Sequence, residues 1–188
     1  MIKRLKKIIY TIAPFIEIVL ANKIILNKIN TLSSEMKKSD FSYMEKYNQL
    51  SLDEIIPFYT DTLNVKKSIE DKVKTSLFTV TLGVTVITST TSLLYKDFFV
   101  NSNLGWKTSV LFFVVLAIVY LLTSAVHAIL TVSEYSTFYM VFPRHLTNKN
   151  INARKKIYAL NAELNSMMNI IRHNNMNISY KCIVNSLF

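Results

Sequence analysis

The stretch TVTLGVTVITSTTSLL, residues 79–94, decides the fold. Between Thr79 and Val86 it alternates polar and apolar residues, as a half-buried strand does. Most of its residues are β-branched, which favours strands in water. However, the stretch lies inside a run without charge from Thr75 to Tyr95. As a helix, that run is long enough to cross a hydrocarbon core of about 30 Å.

A second uncharged run, from Thr108 to Ser133, favours the helical interpretation. The two runs are joined by the short connector KDFFVNSNLGWK, so together they predict a helical hairpin. A lone strand does not fit in lipid, because its backbone groups would be unpaired. The sequence therefore predicts an all-α membrane protein. Its expected parts are a cytoplasmic or interfacial helical region, a hairpin of two transmembrane helices and a cytoplasmic helical region, at residues 1–74, 75–133 and 134–188.

The composition excludes several other classes of protein. The chain has 188 residues, of which 51% are hydrophobic, and it contains only two glycines and three prolines. A loop-rich all-β fold needs more turn residues than that. The single cysteine cannot form an intrachain disulfide, and no cluster of Cys and His indicates a metal site. No glycine-rich phosphate loop or nucleophile motif is present, so we expect neither a cofactor nor an enzymatic activity.

The positive charge of the chain is unevenly distributed. The formal net charge is +10. Thirteen of the 22 Lys and Arg residues precede Thr75, seven follow Ser133 and two lie in the connector. The positive-inside rule then predicts that both termini are cytoplasmic and that the connector is outside. Membrane topology and anionic lipid account for much of this charge, so it does not require a nucleic-acid partner.

The flanking regions also have helical patterns. The amino-terminal stretch is expected to form a helix in the membrane interface, although a third span is an alternative. Its apolar face consists of Leu5, Ile8, Ile9, Ile12, Ile16, Val19 and Leu20.

Three features predict where the later helices begin and end. Ser51 and Glu54 have the spacing of a capping box, before a short turn that Pro57 is expected to break. A longer helix should run from about Asp61 into the first span, and another should begin near Asn150.

Four hydroxyl side chains form a stripe along the first predicted span, at spacings of four, three and four residues: Thr81, Thr85, Thr88 and Ser92. Such a stripe faces something other than acyl chains. One interpretation is a seam against another helix, where small polar residues allow close packing. The other is a water-filled pathway. A single hairpin cannot enclose a lumen, so the second interpretation requires a homo-oligomer.

Two further groups of residues are candidates for function. His127 and Glu134 lie on one face near the end of the second span. One hypothesis is that this ionisable pair gates a pathway, and the alternative is that both side chains are solvated or paired at the membrane interface. The helix after Asn150 has an apolar seam, which predicts either packing on the amino-terminal helices or self-association. The seam residues are Ile157, Leu160, Leu164, Met167 and Ile171.

Two local motifs resemble those of small two-helix membrane effectors in bacterial antiphage systems, the type associated with cyclic-nucleotide signalling, including Pycsar. The first motif is SIEDKVKTSL, before the first span. The second is the pair Pro143 and Arg144, after the second span. The resemblance covers about residues 60–146. The residues that match the first motif are Ile69, Glu70, Lys72, Val73 and Leu77, with glutamate and valine in place of the usual aspartate and alanine.

This resemblance implies abortive infection as the function. A cytoplasmic sensor protein or a signalling nucleotide would trigger the effector, which would then oligomerise and permeabilise the bacterial inner membrane. The resemblance also implies that Lys72 and Arg144 hold the juxtamembrane helices together. A non-conducting membrane anchor that tethers a cytoplasmic complex is the alternative.

Overall fold

A computed structural model describes residues 13–37, 47, 49–101, 103–133, 138–142 and 150–187. In this part of the chain there are four α-helices and no strand. The helices are α1 (Phe15–Lys37), α2 (Leu52–Asn101), α3 (Leu104–Ser133) and α4 (Ile151–Leu187). Residues 79–94 lie inside α2, so the strand interpretation is wrong and the helical one is confirmed.

The start of α2 is fixed by the predicted capping box. The backbone N–H of Ser51 donates to Glu54 Oε2 (2.6 Å), and the N–H of Glu54 donates to Ser51 Oγ (3.3 Å). The expected break at Pro57 is wrong, because the helix continues through it. Proline removes only one backbone hydrogen bond here. The buried side chains of Ile55 and Tyr59, on either side of it, hold this part of the helix in place.

Helix α4 packs against each of the other three helices. It runs parallel to α2, since Asn169 meets Thr62 while Ser179, further along, meets Ser76. It runs antiparallel to α3 and to α1. The predicted helix near Asn150 is confirmed. The sequence did not place the segment ISYKCIVNSLF, and all but its last residue belongs to α4.

The apolar seam of α4 is buried within the chain. Leu160, Leu164, Met167 and Ile171 are at most 7% exposed and share a core cluster with Ile29 and Leu32 of α1 and Ile55 of α2. Ile157 is half-buried. This is the packing alternative that the sequence left open. Self-association through the same side chains would require α4 to separate from α1 and α2.

A second seam joins α2 to α3 and to the end of α4. Val80, Leu121 and Ile183, one residue from each helix, form one buried cluster. Gly83 lets α3 come close, because a Cβ atom there would lie 3.2 Å from a methyl carbon of Leu121. An alanine at this position would require the Leu121 side chain to shift by a few tenths of an ångström.

Both α2 and α3 are long and apolar enough to cross a membrane, as judged by length and composition. In α3 only 11% of the most apolar stretch is buried inside the chain. A core helix of a soluble protein buries its apolar side chains, and α3 does not. Helix α1 begins after Pro14 and continues to Lys37, while most of the expected interfacial stretch, residues 1–12, lies outside the described residues.

We predict that Leu164→Ala destabilises the protein by about 2–5 kcal/mol, because it opens a cavity in a fully buried cluster. Ile170→Ala is the matched control on the same helix, where the side chain is 48% exposed. Its effect should stay within about 0.5 kcal/mol. Unfolding followed by circular dichroism in detergent would measure both. Equal losses at the two positions would contradict the placement of the seam.

Candidate functional site

The hydroxyl stripe lies on the outer side of α2. Thr81, Thr85, Thr88 and Ser92 are all exposed. Each threonine hydroxyl donates to a carbonyl one turn back, with distances of 3.0 Å from Thr81 to Leu77, 2.8 Å from Thr85 to Thr81 and 2.9 Å from Thr88 to Val84. The hydrogens are therefore satisfied by the helix itself. The oxygen lone pairs remain free to accept hydrogen bonds from water or from another helix.

The stripe is not the seam within the chain. That seam uses Val80, Val84 and Ile87, on the side of α2 that faces Leu121. The apolar residues there interlock with α3, whereas the hydroxyls point away from it. In the part of the chain that the structure describes, the stripe is exposed and not packed against another helix. Association through it with something outside this chain stays a prediction.

Three serines meet where α2, α3 and α4 come together, and we call them the serine node: Ser76, Ser124 and Ser179. All three are fully buried. The Ser179 hydroxyl lies 2.6 Å from that of Ser76 and 2.8 Å from that of Ser124. Serine is small, so the three backbones approach closely, and each hydroxyl finds a partner away from water.

A row of polar side chains continues from the serine node along α4 into the part that the sequence predicts to be cytoplasmic. It consists of Asn161, Asn165, Asn169, Arg172 and Asn175, each at most 6% exposed. Most of the partners are on other helices or segments. Asn165 exchanges two hydrogen bonds with the backbone of Tyr139, at 2.9 and 3.0 Å. Asn169 donates to the carbonyl of Thr62 (2.8 Å), and Asn22 donates to Asn175 (3.1 Å).

Arg172 is a charged residue at 1% exposure in this row. It donates to Asn169 Oδ1 (3.3 Å), and its guanidinium carbon lies 5.1 Å from the centre of the Phe138 ring. The ammonium of Lys66 lies 4.9 Å from the same ring. Burial lowers the pKa of Arg172, while the negative charge of Glu70 acts in the opposite direction. Arginine stays protonated, so α4 holds a buried cation against α2 and the segment after α3.

The other predicted site residues are more scattered. His127 is half-buried on α3, and its carbonyl accepts a hydrogen bond from Thr131. Glu134, Pro143 and Arg144 lie outside the described residues, so the structure says nothing about a pair with His127. Lys72 is exposed. Because Arg144 is not among the described residues, the joint role of Lys72 and Arg144 at the juxtamembrane helices stays a prediction.

Lys72 does line a groove of about 480 Å³ between α2 and α4. Its apolar lining includes Val65, Ile69 and Ile170. Charged and titratable side chains also line it, with Asp61 far from the predicted span and Lys72 and His173 nearer to it. The groove therefore offers an apolar strip with a charged group towards either end.

Sequence reasoning found the hydroxyl stripe and missed the serine node and the polar row of α4. The signal for the row was present, since Asn, Arg and Ser recur at spacings of three and four between Asn161 and Ser179. This pattern is also that of a solvated helix face. Only the packing of α4 among three helices distinguishes the two.

No family model, curated protein or solved structure matches the chain.

We predict that Ser179→Ala destabilises the protein by about 1–3 kcal/mol, because it leaves the two buried hydroxyls of Ser76 and Ser124 without their shared partner. Ser186→Ala is the control on the same helix. The Ser186 hydroxyl bonds only to the carbonyl of Ile183 on its own helix (2.6 Å), so its loss should cost less. Thermal unfolding in detergent would measure both variants. A Ser186 effect as large as the Ser179 effect would argue against the serine node.

Proposed function

We propose that the chain is an integral membrane protein that crosses a bilayer with α2 and α3, self-associates through the hydroxyl stripe of α2, and in assembled form lets water and ions pass. The observation that carries this proposal is the difference between the outer faces of the two helices. The stripe on α2 is exposed and rich in hydroxyls, whereas the outer face of α3 is apolar.

The exposed surface of α3 supports the membrane part of the proposal. Its outward side chains are large and apolar over the whole length of the helix. Among them are Leu111, Phe112, Phe113, Val115, Val119, Leu122, Val126 and Ile129, all more than half exposed. A contiguous apolar surface of this kind is covered by a membrane or a partner in the native state. Acyl chains fit it, because it contains no charged residue between Thr108 and Ser133.

The hydroxyl stripe supports the assembly part. The threonines satisfy their own hydrogens, so the face tolerates contact with lipid, and it still accepts hydrogen bonds from a neighbour. Copies packed side by side would bring their stripes together. With a few copies, the same stripes would line a narrow water-filled path, which one hairpin alone cannot form.

The biological setting that we propose follows the resemblance to bacterial antiphage effectors. The resemblance implies the bacterial inner membrane, and the distribution of Lys and Arg supports a topology with both termini in the cytoplasm. A cytoplasmic sensor protein or a signalling nucleotide would act as the trigger. Opening of the assembly would then depolarise the membrane and stop the growth of an infected cell.

A second candidate function is a membrane anchor that conducts nothing and tethers a cytoplasmic partner. The groove between α2 and α4 favours it, since Phe58, Val65 and Ile170 leave apolar surface exposed there. In that case the hydroxyl stripe would be dispensable for function.

Cross-linking tests the assembly without any trigger. In a Cys182→Ala background, which removes the only cysteine, we expect Thr85→Cys to form disulfide-linked dimers in membranes on mild oxidation. Val119→Cys, on the apolar face of α3 and 51% exposed, is the control and should form few. Absence of dimers at Thr85, or equal yields at both positions, would contradict association through the stripe.

A hydroxyl-specific comparison tests conduction. Replacing Thr81, Thr85 and Thr88 by valine keeps the shape of each side chain and removes the oxygen, whereas replacement by serine keeps the oxygen. In bacteria that carry the neighbouring genes and are infected with the phage that supplies the trigger, we expect the native chain and the triple serine variant to depolarise the membrane at equal abundance, and the triple valine variant to lose most of this effect. A potential-sensitive dye measures it. Depolarisation retained with valine would exclude a pathway lined by these hydroxyls.

A further inference from the structure

Three contacts fix the height of the end of α4 relative to the proposed spans. Ser179 is level with Ser76 and Ser124, through the serine node. One turn later, Ile183 packs with Val80 and Leu121. The uncharged run of α2 begins at Thr75 and that of α3 ends at Ser133. Ser179 therefore lies at the edge of the α2 run and inside the α3 run, and Ile183 lies inside both.

The side chains beyond Ser179 suit a lipid environment. Lys181 is the last charged residue of the described chain, and it is exposed near the edge, from where its long stem can reach a lipid headgroup. Residues 182–187 carry no charge. The Ser186 hydroxyl donates a hydrogen bond to the carbonyl of Ile183, so its hydrogen has a partner within the helix.

At this height α2, α3 and α4 each expose large apolar side chains. On α4, Val184 is 51% and Leu187 is 75% exposed. At the same height α2 exposes Leu82 and α3 exposes Val119. The end of α4 therefore continues the apolar surface of the hairpin, and whatever covers the hairpin also covers α4.

From these observations we propose that residues 180–187 lie within the cytoplasmic leaflet of the membrane, as a partial third helix beside α2 and α3, with Val184 and Leu187 against acyl chains. The inference rests on the proposed spanning of the hairpin. From Ser179 to Leu187 a helix rises about 12 Å, so this segment enters the membrane without crossing it. It replaces the expectation that the whole region 134–188 is cytoplasmic.

The partial helix gives the membrane domain a direct mechanical link to the cytoplasmic bundle. The same unbroken helix carries the apolar seam, the buried row of asparagines and the leaflet segment. A shift of α4 along its axis would move Ile183 against Val80 and Leu121, and so change the packing of the hairpin.

Spin labelling tests the proposal with three positions of nearly equal exposure. In the Cys182→Ala background, cysteine replaces Val184, Val119 or Ile170, whose native side chains are 51%, 51% and 48% exposed. Equal exposure means that a difference between them reports the surrounding medium and not burial. Each nitroxide-labelled variant is reconstituted into vesicles of phosphatidylcholine and phosphatidylglycerol. We then measure how often each nitroxide collides with oxygen, which partitions into lipid, and with a nickel chelate, which stays in water.

We expect the label at Val184 to behave like the label at Val119, with oxygen accessibility well above nickel accessibility. The label at Ile170, outside the proposed span, should show the reverse. A label at Val184 that follows Ile170 would overturn the inference, because the segment would then lie in water. A label at Val184 that is shielded from both reagents would also overturn it, since a second copy and not lipid would cover this face. Nickel accessibility at Val119 would instead overturn the proposed spanning itself.

Discussion

Six polar side chains along α4 are almost fully enclosed by protein: Asn161, Asn165, Asn169, Arg172, Asn175 and Ser179. Each buried polar group left without a hydrogen bond would cost about 1–3 kcal/mol. Several of their partners belong to other parts of the chain, with Asn22 from α1, Thr62 and Ser76 from α2, Ser124 from α3 and the backbone of Tyr139. Because each bond has a fixed length and direction, the row sets the height and register of all four helices. Apolar contacts alone tolerate small slips that these bonds do not.

The contacts of α4 change in kind along its length. Towards its beginning, α4 packs its apolar seam on α1 and the start of α2, as the core of a soluble helical bundle does. Towards its end, α4 packs first through small side chains, Ser179 on Ser76 and Ser124, and one turn later through Ile183 on Val80 and Leu121. Close packing of small residues is the usual way that helices associate in lipid, where no hydrophobic effect drives them together. The change from one kind of contact to the other falls at the serine node.

Much of the fold follows from the sequence, because its strongest signals are local. The uncharged runs predict two long apolar helices, Ser51 and Glu54 predict the start of α2, and Asn150 marks the start of α4. The sequence does not predict the features of the fold that depend on packing between residues distant in the sequence. Pro57 reads as a break, yet the buried side chains beside it keep the helix intact. The asparagines of α4 read as a solvated face, and only three surrounding helices turn them into a core. The hydroxyl stripe was located by spacing alone, whereas its outward direction depends on where α3 packs.

The long continuous α2 places a physical condition on the proposed trigger. A ligand or partner shifts an assembly only if it binds one arrangement of the helices more tightly than another. The groove between α2 and α4 is walled by both helices, so an occupant there distinguishes arrangements that differ in their separation or register. The described part of α2 runs without interruption from the groove at Phe58 to the hydroxyl stripe at Ser92. A tilt imposed at the groove therefore reaches the stripe without an intervening hinge. The serine node and the cluster of Val80, Leu121 and Ile183 oppose such a tilt, so they contribute to how large the difference in binding must be.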